Sequence, residues 1–465
     1  MILLASSLFL THDKKQLERM KPYSPLATLL VAAACRERGH EVALFDATFA
    51  TGVAEFREML AATRPSIVGV LEDNFNYLTK MCTVSTRDAM LEMISAAREA
   101  GCKVAVNGSD AADRPQLYLD SGADAVLTGE ADNSFPLLAD TWTRDRDADI
   151  SGIPGLVLRG EGGALHSTAH SRGIEDLDTI PMPAWDLVDV ESYRRAWMQA
   201  HGRFSWNMVT SRGCPFGCNW CAKPIFGRRY ALRSPECVAE EMRLLKETVR
   251  PDHVWFADDI FGLTTQWITH FSAEVAERDA RTPFMIQCRA DLLRPDVVRA
   301  LAAAGAEEVW LGVESGSQRI LDAMEKGTTV AEVRAATRAL KAHGVRACWF
   351  LQLGYPSETW DDVLLTRDLV HSEQPDDIGV SVAYPLPGTR FHARVREQLG
   401  LRQNWEHTDD LAMLFHGTYT TAFYRQLRDL LHEDARTRLP DLARWRAIES
   451  EEATHRSAEP LVAAQ

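Results

Sequence analysis

The chain has 465 residues, which is too long for one hydrophobic core and fits two or three domains. Its composition is ordinary for a soluble globular protein, and its formal net charge of -15 argues against a nucleic-acid partner, because neutralising phosphates requires a basic face. No apolar stretch is long enough to cross a bilayer, and no basic residue precedes the apolar start "MILLASSLFL", so we expect a cytoplasmic protein without a membrane span.

Residues 1–142 alternate short apolar runs with helical patterns. The strand-like runs are "ILLASSLF", "EVALFDA", "SIVGVL", "KVAVNG" and "DAVLTG". Five strands separated by helices predict an α/β domain with a doubly wound, Rossmann-like parallel sheet. Ligands of such sheets bind beyond the carboxyl ends of the strands, so the candidate loops are 72–76, 108–110 and 129–132.

Residues 143–204 break the alternation and predict a linker that contains a hairpin, "GLVLRGEGGALHS". Alternation resumes in residues 205–395, whose six strand patterns predict an open or partly closed parallel barrel. Those patterns are "WNMVTS", "HVWFAD", "FMIQCR", "EEVWLGV", "VRACWFLQL" and "DIGVSVAY". Residues 396–465 read as a helical region, with "SEEATHRSAEPLVAAQ" as a frayed tail.

The stretch "SRGCPFGCNWCAKPIFG" places Cys214, Cys218 and Cys221 within eight positions, directly after the first barrel strand. Thiolates in this number suit zinc, an iron–sulfur cluster or cuprous copper. A structural zinc site normally closes with a fourth Cys or His, but the next cysteine, Cys237, falls in a predicted helix. Three ligands would leave one iron of a cubane cluster open. The remaining cysteines are scattered singly, which indicates small buried hydrophobes in a reducing compartment.

The spacing Cys-x3-Cys-x2-Cys, with Trp220 before the last cysteine, resembles the signature of radical S-adenosylmethionine (radical SAM) enzymes. Further segments resemble the branch that carries an N-terminal cobalamin-binding domain, over nearly the whole chain and most weakly in its last 60 residues. They are "YSPLATLLVAAACRERGHEVALFDA", "GADAVLTGEAD", "FADDIFG", "CRADLL", "LGVESGSQRILDAMEKGTT", "LGYPSETWDD" and "YPLPGTRFH".

The resemblance implies a (βα)6 partial TIM barrel and a [4Fe–4S] cluster on Cys214, Cys218 and Cys221, whose fourth iron binds S-adenosylmethionine. Carried over by position, the residues expected at S-adenosylmethionine are Trp220, Asp258, Asp259, Arg289, Glu314 and Ser315. Those expected at cobalamin are Glu72, Asp73, Asn74, Gly108, Ser109, Asp110, Gly129 and Glu130. Several of these also have purely structural interpretations, such as a helix cap at Asp258 or an ion pair between Arg289 and Asp291.

The N-terminal domain departs from the cobalamin pattern in two ways. It has no Asp-x-His-x-x-Gly motif, and its fourth loop reads "NGSDAAD" where relatives commonly carry Gly-Gly-x-His. The resemblance therefore implies a corrinoid without a histidine on cobalt. A sheet that no longer binds cobalamin is the alternative.

The implied activity is methylation of an unactivated carbon or phosphorus centre in a small biosynthetic molecule, with a flavodoxin or ferredoxin as electron donor. The alternatives are non-methylating radical chemistry (cyclisation, ring contraction, epimerisation or sulfur insertion) and a non-catalytic or zinc-stabilised binding protein. A tRNA methylthiotransferase fits less well, because no extra N-terminal cysteines or basic tail are present.

Overall fold

The computed structural model describes residues 1–223 and 225–456. Its N-terminal part is built around a seven-stranded sheet with the order β2-β1-β3-β4-β5-β6-β7. The strands are Ile2–Ala5 (β1), Val42–Phe45 (β2), Ile67–Leu71 (β3), Lys103–Asn107 (β4), Ala125–Leu127 (β5), Leu156–Arg159 (β6) and Leu165–Ser167 (β7). The first five are parallel, and the hairpin β6–β7 extends the sheet antiparallel to β5.

Helices cover both faces of this sheet, as a doubly wound fold requires. The helices of residues 1–204 are Lys14–Arg19 (α1), Leu26–Glu37 (α2), Val53–Thr63 (α3), Tyr77–Met81 (α4), Val84–Glu99 (α5), Ser109–Asp113 (α6), Pro115–Asp120 (α7), Ala131–Arg144 (α8) and Val190–His201 (α9), of which α9 packs on the barrel core. Phe135 of α8 packs with Leu4 on one face, and Phe56 of α3 packs with Val68 on the other. A strand buried on both faces must be apolar throughout, which explains the continuous run "IVGVL" of β3.

The second part is a six-stranded parallel sheet with the order β15-β14-β13-β12-β11-β8, in which the first and last strands do not pair. Its strands are Ser205–Met208 (β8), His253–Phe256 (β11), Phe284–Cys288 (β12), Ala306–Glu314 (β13), Arg346–Leu353 (β14) and Asp377–Val382 (β15). Two short strands, Ser211–Arg212 (β9) and Ala231–Leu232 (β10), pair antiparallel at the base of the cysteine loop. The predicted α/β class, with a doubly wound sheet followed by a partial barrel, is confirmed.

The remaining helices are Pro235–Thr248 (α10), Thr265–Glu277 (α11), Pro295–Ala304 (α12), Gln318–Ala323 (α13), Val330–Ala342 (α14), Trp360–Glu373 (α15), Arg390–Val395 (α16), Thr421–Thr437 (α17) and Leu442–Glu451 (α18). The predicted frayed tail begins too early. Residues Glu452–His455 form a 3-10 turn, and Glu452 accepts a hydrogen bond from the buried Tyr419 hydroxyl. Residues 457–465 of that tail lie outside the described residues. Within the described ranges, no helix combines the length and apolar character that crossing a membrane requires.

Candidate active site

The three predicted ligand cysteines lie on the loop between β9 and β10, at the carboxyl end of β8. Their side chains are partly accessible. The loop starts at Gly213, whose φ is +77° and where a Cβ would lie 2.1 Å from the Arg229 carbonyl oxygen, so only glycine fits there. Within the described residues, the group of three potential metal ligands whose ligand atoms all lie within 4.8 Å of one another is Glu236, His270 and Glu274, which lies outside this loop.

Asn219 anchors the cysteine loop to the barrel. The residue is 3% exposed, and its side-chain amide donates to the Ala323 carbonyl at 2.8 Å. Its side-chain oxygen accepts from the Tyr355 hydroxyl at 2.8 Å, and its backbone N–H donates to the Met324 carbonyl at 3.0 Å. Because these partners belong to the regions after β13 and β14, the loop is fixed by distant parts of the barrel.

Arg289 places a positive charge beside the cysteines. Its guanidinium lies 3.8 Å from the Phe216 ring centroid and donates to the Lys326 carbonyl at 2.7 Å. One of its nitrogens is 3.9 Å from the Cys218 sulfur. The structural pairing with Asp291, at 3.0 Å, is present as well. A cation at this distance favours an anionic thiolate or cluster.

Burial opposes ionisation of two of the thiols. It raises the pKa of Cys221 to about 12 and also raises the pKa of Cys214, while the Lys223 ammonium acts in the opposite direction on both. The free Cys221 thiol is therefore protonated near neutral pH. Loading of an iron–sulfur cluster on these ligands must release their protons.

Glu314 ends β13 in a left-handed conformation, with φ of +64°, at an irregularity in the strand pairing. Its buried carboxylate accepts a hydrogen bond from the Lys326 ammonium at 2.7 Å. That ammonium lies 6.0 Å from the Trp220 ring centroid. The indole N–H of Trp220 is buried and has no hydrogen-bond partner within the described residues. Glu314, Trp220 and Lys326 thus present polar groups together beside the cysteines.

Asp258 and Ser315, which are predicted to contact S-adenosylmethionine, already make hydrogen bonds to other residues of the chain. Asp258 is 1% exposed and accepts hydrogen bonds from the backbone and hydroxyl groups of Thr210 and Ser211. Burial raises its pKa to about 6. The Ser315 hydroxyl accepts from the Ser317 N–H at 3.1 Å and lies 3.2 Å from that of Thr366. Both residues shape the loops around the site, and their contact with S-adenosylmethionine stays a prediction.

Asp259 connects the two domains. Its carboxylate pairs at 2.5 Å with the ammonium of Lys80, which lies on α4 of the N-terminal domain. Beside this ion pair, Phe75 and Phe226 stack with ring centroids 5.0 Å apart. The loop after β3 therefore reaches across to the mouth of the barrel.

Glu72 and Gly108 face each other at the carboxyl edge of the N-terminal sheet. A Cβ on Gly108 would lie 2.0 Å from a Glu72 carboxylate oxygen, so a side chain at this position would displace the Glu72 carboxyl. Glu72 is 1% exposed, and neither carboxylate oxygen makes a hydrogen bond of normal geometry, although the Cys82 thiol and the Ser109 N–H lie near it. Burial, with a smaller contribution from the Asp110 charge, raises its pKa to about 8. The group is a neutral carboxyl at pH 7.

The other predicted residues at this edge bind one another or the backbone. The Asn74 amide donates to the Asn107 side chain at 2.6 Å, and Asn107 in turn donates to the Gly129 carbonyl at 3.0 Å. The Ser109 hydroxyl donates to the Lys80 carbonyl at 2.9 Å. Asp73 accepts from the Ala27 N–H at 3.2 Å, and burial raises the pKa of this aspartate to about 6. Asp110 accepts two hydrogen bonds at 2.6 Å from the Arg87 guanidinium.

Glu130 belongs to a buried ion cluster between the domains. Its carboxylate pairs with both Arg212 and Arg229. Arg212, which is 3% exposed, also pairs with Asp132 at 2.5 Å. The cluster joins the loop after β5 to the strand that enters the cysteine loop. Arg229 therefore has a structural role in this cluster.

The donor chemistry of these sites suits the expected cofactors. Three thiols beside Arg289 suit a [4Fe–4S] cluster. The uncommitted Glu72 carboxyl suits the amide groups at the edge of a corrin ring, and the loop sequences 71–82 and 107–113 contain no histidine to bind its metal. The cavity lined by Asn74, Phe75, Arg212 and Phe226 has a volume of about 10 Å³, which is too small for a corrin ring.

Sequence reasoning missed Lys326, Asn219 and Arg212. Lys326 lies in the quoted segment "LGVESGSQRILDAMEKGTT", twelve positions after Glu314, but only the fold brings the two side chains together. Asn219 lies inside the cysteine motif, between two of the ligands. The buried charge of Arg212 has no local signal, because its partners are about 80 residues earlier in the chain.

Known proteins match both the barrel and the whole arrangement. Residues 208–370 match the family model described as the radical SAM superfamily. An uncharacterized methyltransferase of Pyrococcus horikoshii is 28% identical over 396 residues, which cover 82% of this chain and 80% of that protein. The hopanoid C-3 methylase of Methylococcus capsulatus is 28% identical over 423 residues, which cover 90% and 73%.

A solved structure shares the two-domain fold. The radical S-adenosylmethionine methyltransferase TsrM of Kitasatospora setae, solved with cobalamin and a [4Fe–4S] cluster bound, aligns with a TM-score of 0.70. The alignment covers 85% of this chain and 74% of that one at 21% identity.

Proposed function

We propose that this chain, whose residues 208–370 match the radical SAM superfamily model, is a radical SAM enzyme that methylates an unactivated carbon or phosphorus centre of a small molecule in a cobalamin-dependent reaction. The observation that carries the proposal is the combination of the three-thiol loop with a complete second domain of the kind found in cobalamin-bound TsrM. The similarity to two methyltransferases over most of the chain supports it.

In the proposed site, Cys214, Cys218 and Cys221 would hold the [4Fe–4S] cluster, which when bound would supply the electron for cleaving S-adenosylmethionine. Arg289 balances the negative charge of the thiolates, and Asn219 fixes the loop that carries them. Glu314 and Trp220 orient S-adenosylmethionine beside the open corner. Lys326 sets the direction of the Glu314 carboxylate through their hydrogen bond.

The N-terminal domain would hold the corrinoid, which when bound would supply a methyl carrier. The Glu72 carboxyl, neutral at pH 7, would donate a hydrogen bond to an amide oxygen of the corrinoid. The buried ion cluster around Arg212 keeps this domain in a fixed position over the cysteine loop, which matters because reacting atoms must be placed within about an ångström. A small flavodoxin or ferredoxin of the cytoplasm is the proposed electron donor.

The test is an anaerobic incubation of the reconstituted protein with S-adenosylmethionine, reductant and cobalamin. We expect 5′-deoxyadenosine and S-adenosylhomocysteine in the same reaction. Alanine at Cys214, Cys218 or Cys221 should abolish 5′-deoxyadenosine, whereas Cys237→Ala, a matched change outside the loop, should leave it intact. If turnover is undiminished without cobalamin, the methylation proposal is wrong and non-methylating radical chemistry takes its place.

A further inference from the structure

Three potential metal ligands converge on the outer helices of the barrel. Glu236 lies in the first turn of α10, and His270 and Glu274 lie one turn apart on α11. One ligand atom from each residue lies within 4.8 Å of the other two. The imidazole Nε2 of His270 is 3.4 Å from Glu236 Oε1 and 3.2 Å from Glu274 Oε1. We call these three residues the helix cluster, and none of them belongs to the candidate active site.

The packing of α10 against α11 fixes the positions from which these side chains project. Val238 of α10 and Phe271 of α11 are fully buried in the same hydrophobic core. The Trp267 indole N–H donates to the Arg233 carbonyl at 2.9 Å, which ties the first turn of α11 to the chain just before α10. The two ligands on α11 share one face of that helix because they are four residues apart. The helix cluster therefore stands on two helices that are held together by a core and by a hydrogen bond.

The distances within the helix cluster fit a shared ion. Ligands of a tetrahedral zinc ion lie about 2.0 to 2.1 Å from the metal, which places two of them about 3.3 Å apart. The His270 nitrogen has both carboxylate oxygens close to that separation. Both contacts are short enough for a hydrogen bond, but neither has the geometry of one. An ion between these atoms would give each of them a bonding partner at the distances they already have.

The carboxylates of the helix cluster are oriented and only partly neutralised. Glu274 is 9% exposed, and one of its carboxylate oxygens pairs with Arg278. That ion pair orients the carboxylate and leaves its other oxygen facing His270. Among the described residues, Glu236 pairs with no lysine or arginine, so its charge has no partner when His270 is neutral. A bound cation would supply the missing positive charge.

The neighbouring arginines are engaged by other carboxylates. Arg243 pairs with Glu240 and with Glu247, each at 2.6 Å, and Arg278 also lies 3.9 Å from Glu240. Within this network the carboxylates outnumber the guanidinium groups, so the local field attracts a cation. The imidazole ligand favours zinc or a similar transition-metal ion over magnesium and calcium, which prefer oxygen ligands.

We propose that the helix cluster binds a zinc ion through Glu236, His270 and Glu274. Water completes the coordination, because the side chains of Glu236 and His270 are each about half exposed. The ion clamps α10 to α11. Helix α10 follows the strand that closes the cysteine loop, and α11 follows the segment that contains Asp258, so the clamp supports two loops of the candidate active site from outside the barrel. This site is independent of the proposed function.

The test is isothermal titration of zinc chloride into anaerobic protein loaded with its iron–sulfur cluster, so that the cysteines of the loop are occupied. We expect a zinc site that His270→Ala weakens at least about tenfold, because even the loss of a group that only supports a ligand commonly costs that much. Glu236→Gln, which keeps the shape and removes the charge, should weaken it by a similar factor. Magnesium should bind far more weakly than zinc. Zinc should also raise the free energy of unfolding of the wild type in urea, but not that of His270→Ala.

The control is His343→Ala, which removes an exposed imidazole at the end of α14 and should leave zinc affinity unchanged. No zinc binding at submillimolar concentration, or equal affinity in the wild type and His270→Ala, would overturn the proposal. Magnesium binding as tight as zinc binding would also overturn it, because the helix cluster would then be only an acidic surface. A variant with alanine at Cys214, Cys218 and Cys221 should keep the zinc site. Failure of the proposed function would therefore leave these results as they are.

Discussion

The free energy of unfolding of the Glu72→Gln variant, relative to that of the wild type, should increase as the pH rises. The wild-type carboxyl has a pKa raised from 4.5 to about 8 by burial, so it stays neutral in the folded chain at pH 7 but ionises in the unfolded chain. Because the folded pKa lies above the unfolded value, ionisation of this carboxyl costs the wild type no stability below pH 4.5. The free energy of unfolding of the wild type then falls as the pH rises toward 8. Glutamine keeps the shape and cannot ionise.

The magnitude follows from the two pKa values. Each pH unit between them costs the wild type about 1.4 kcal/mol, so the wild type should lose about 3 kcal/mol relative to Glu72→Gln between pH 5 and pH 7.5. Urea denaturation of both proteins at the two pH values measures this change. Any fixed cost of the amide cancels, because it is the same at both pH values.

The matched control is Glu247→Gln, which removes an exposed carboxylate that pairs with Arg243. Its stability difference from wild type should change by less than about 0.5 kcal/mol over the same range. If the Glu72→Gln difference changes as little as the control, the carboxyl is ionised in the folded protein. The reasoning from its burial and missing hydrogen bonds would then be refuted.

Three further predictions concern the domain contact, the cysteine loop and the corrinoid. Arg212→Met should lower the free energy of unfolding by about 3 to 5 kcal/mol in urea denaturation, because Glu130 and Asp132 lose their buried partner, whereas the exposed Arg243→Met should cost almost nothing. Asn219→Ala should lose about 1 to 3 kcal/mol and retain fewer than the roughly four irons per chain expected of the reconstituted protein, and full iron retention would contradict the anchoring role. The protein should take up cobalamin with the absorption spectrum of the base-off form, and a lack of uptake at micromolar cobalamin would instead favour a sheet that no longer binds it.

Local sequence patterns predicted the elements because their causes are local. Apolar runs such as "IVGVL" are the strands buried on both faces, and the six later patterns correspond to the six barrel strands. The spacing of Cys214, Cys218 and Cys221 likewise depends on one loop, whose turn at Gly213 admits no side chain. These features could be predicted because the hydrophobic periodicity, the turn glycine and the ligand spacing each depend on only a few neighbouring residues.

The tertiary structure decided which polar groups meet. Arg212 finds its carboxylates 80 and 82 positions earlier, and the Tyr355 hydroxyl reaches Asn219 across 136 positions. The Lys80–Asp259 ion pair likewise depends on how the N-terminal domain docks on the barrel. Such contacts leave no periodic signal in the sequence, because two residues that pair across domains are not separated by any fixed number of positions. Their strength depends on burial, which strengthens the attraction between paired groups and penalises unpaired ones, and this burial exists only once both domains are assembled.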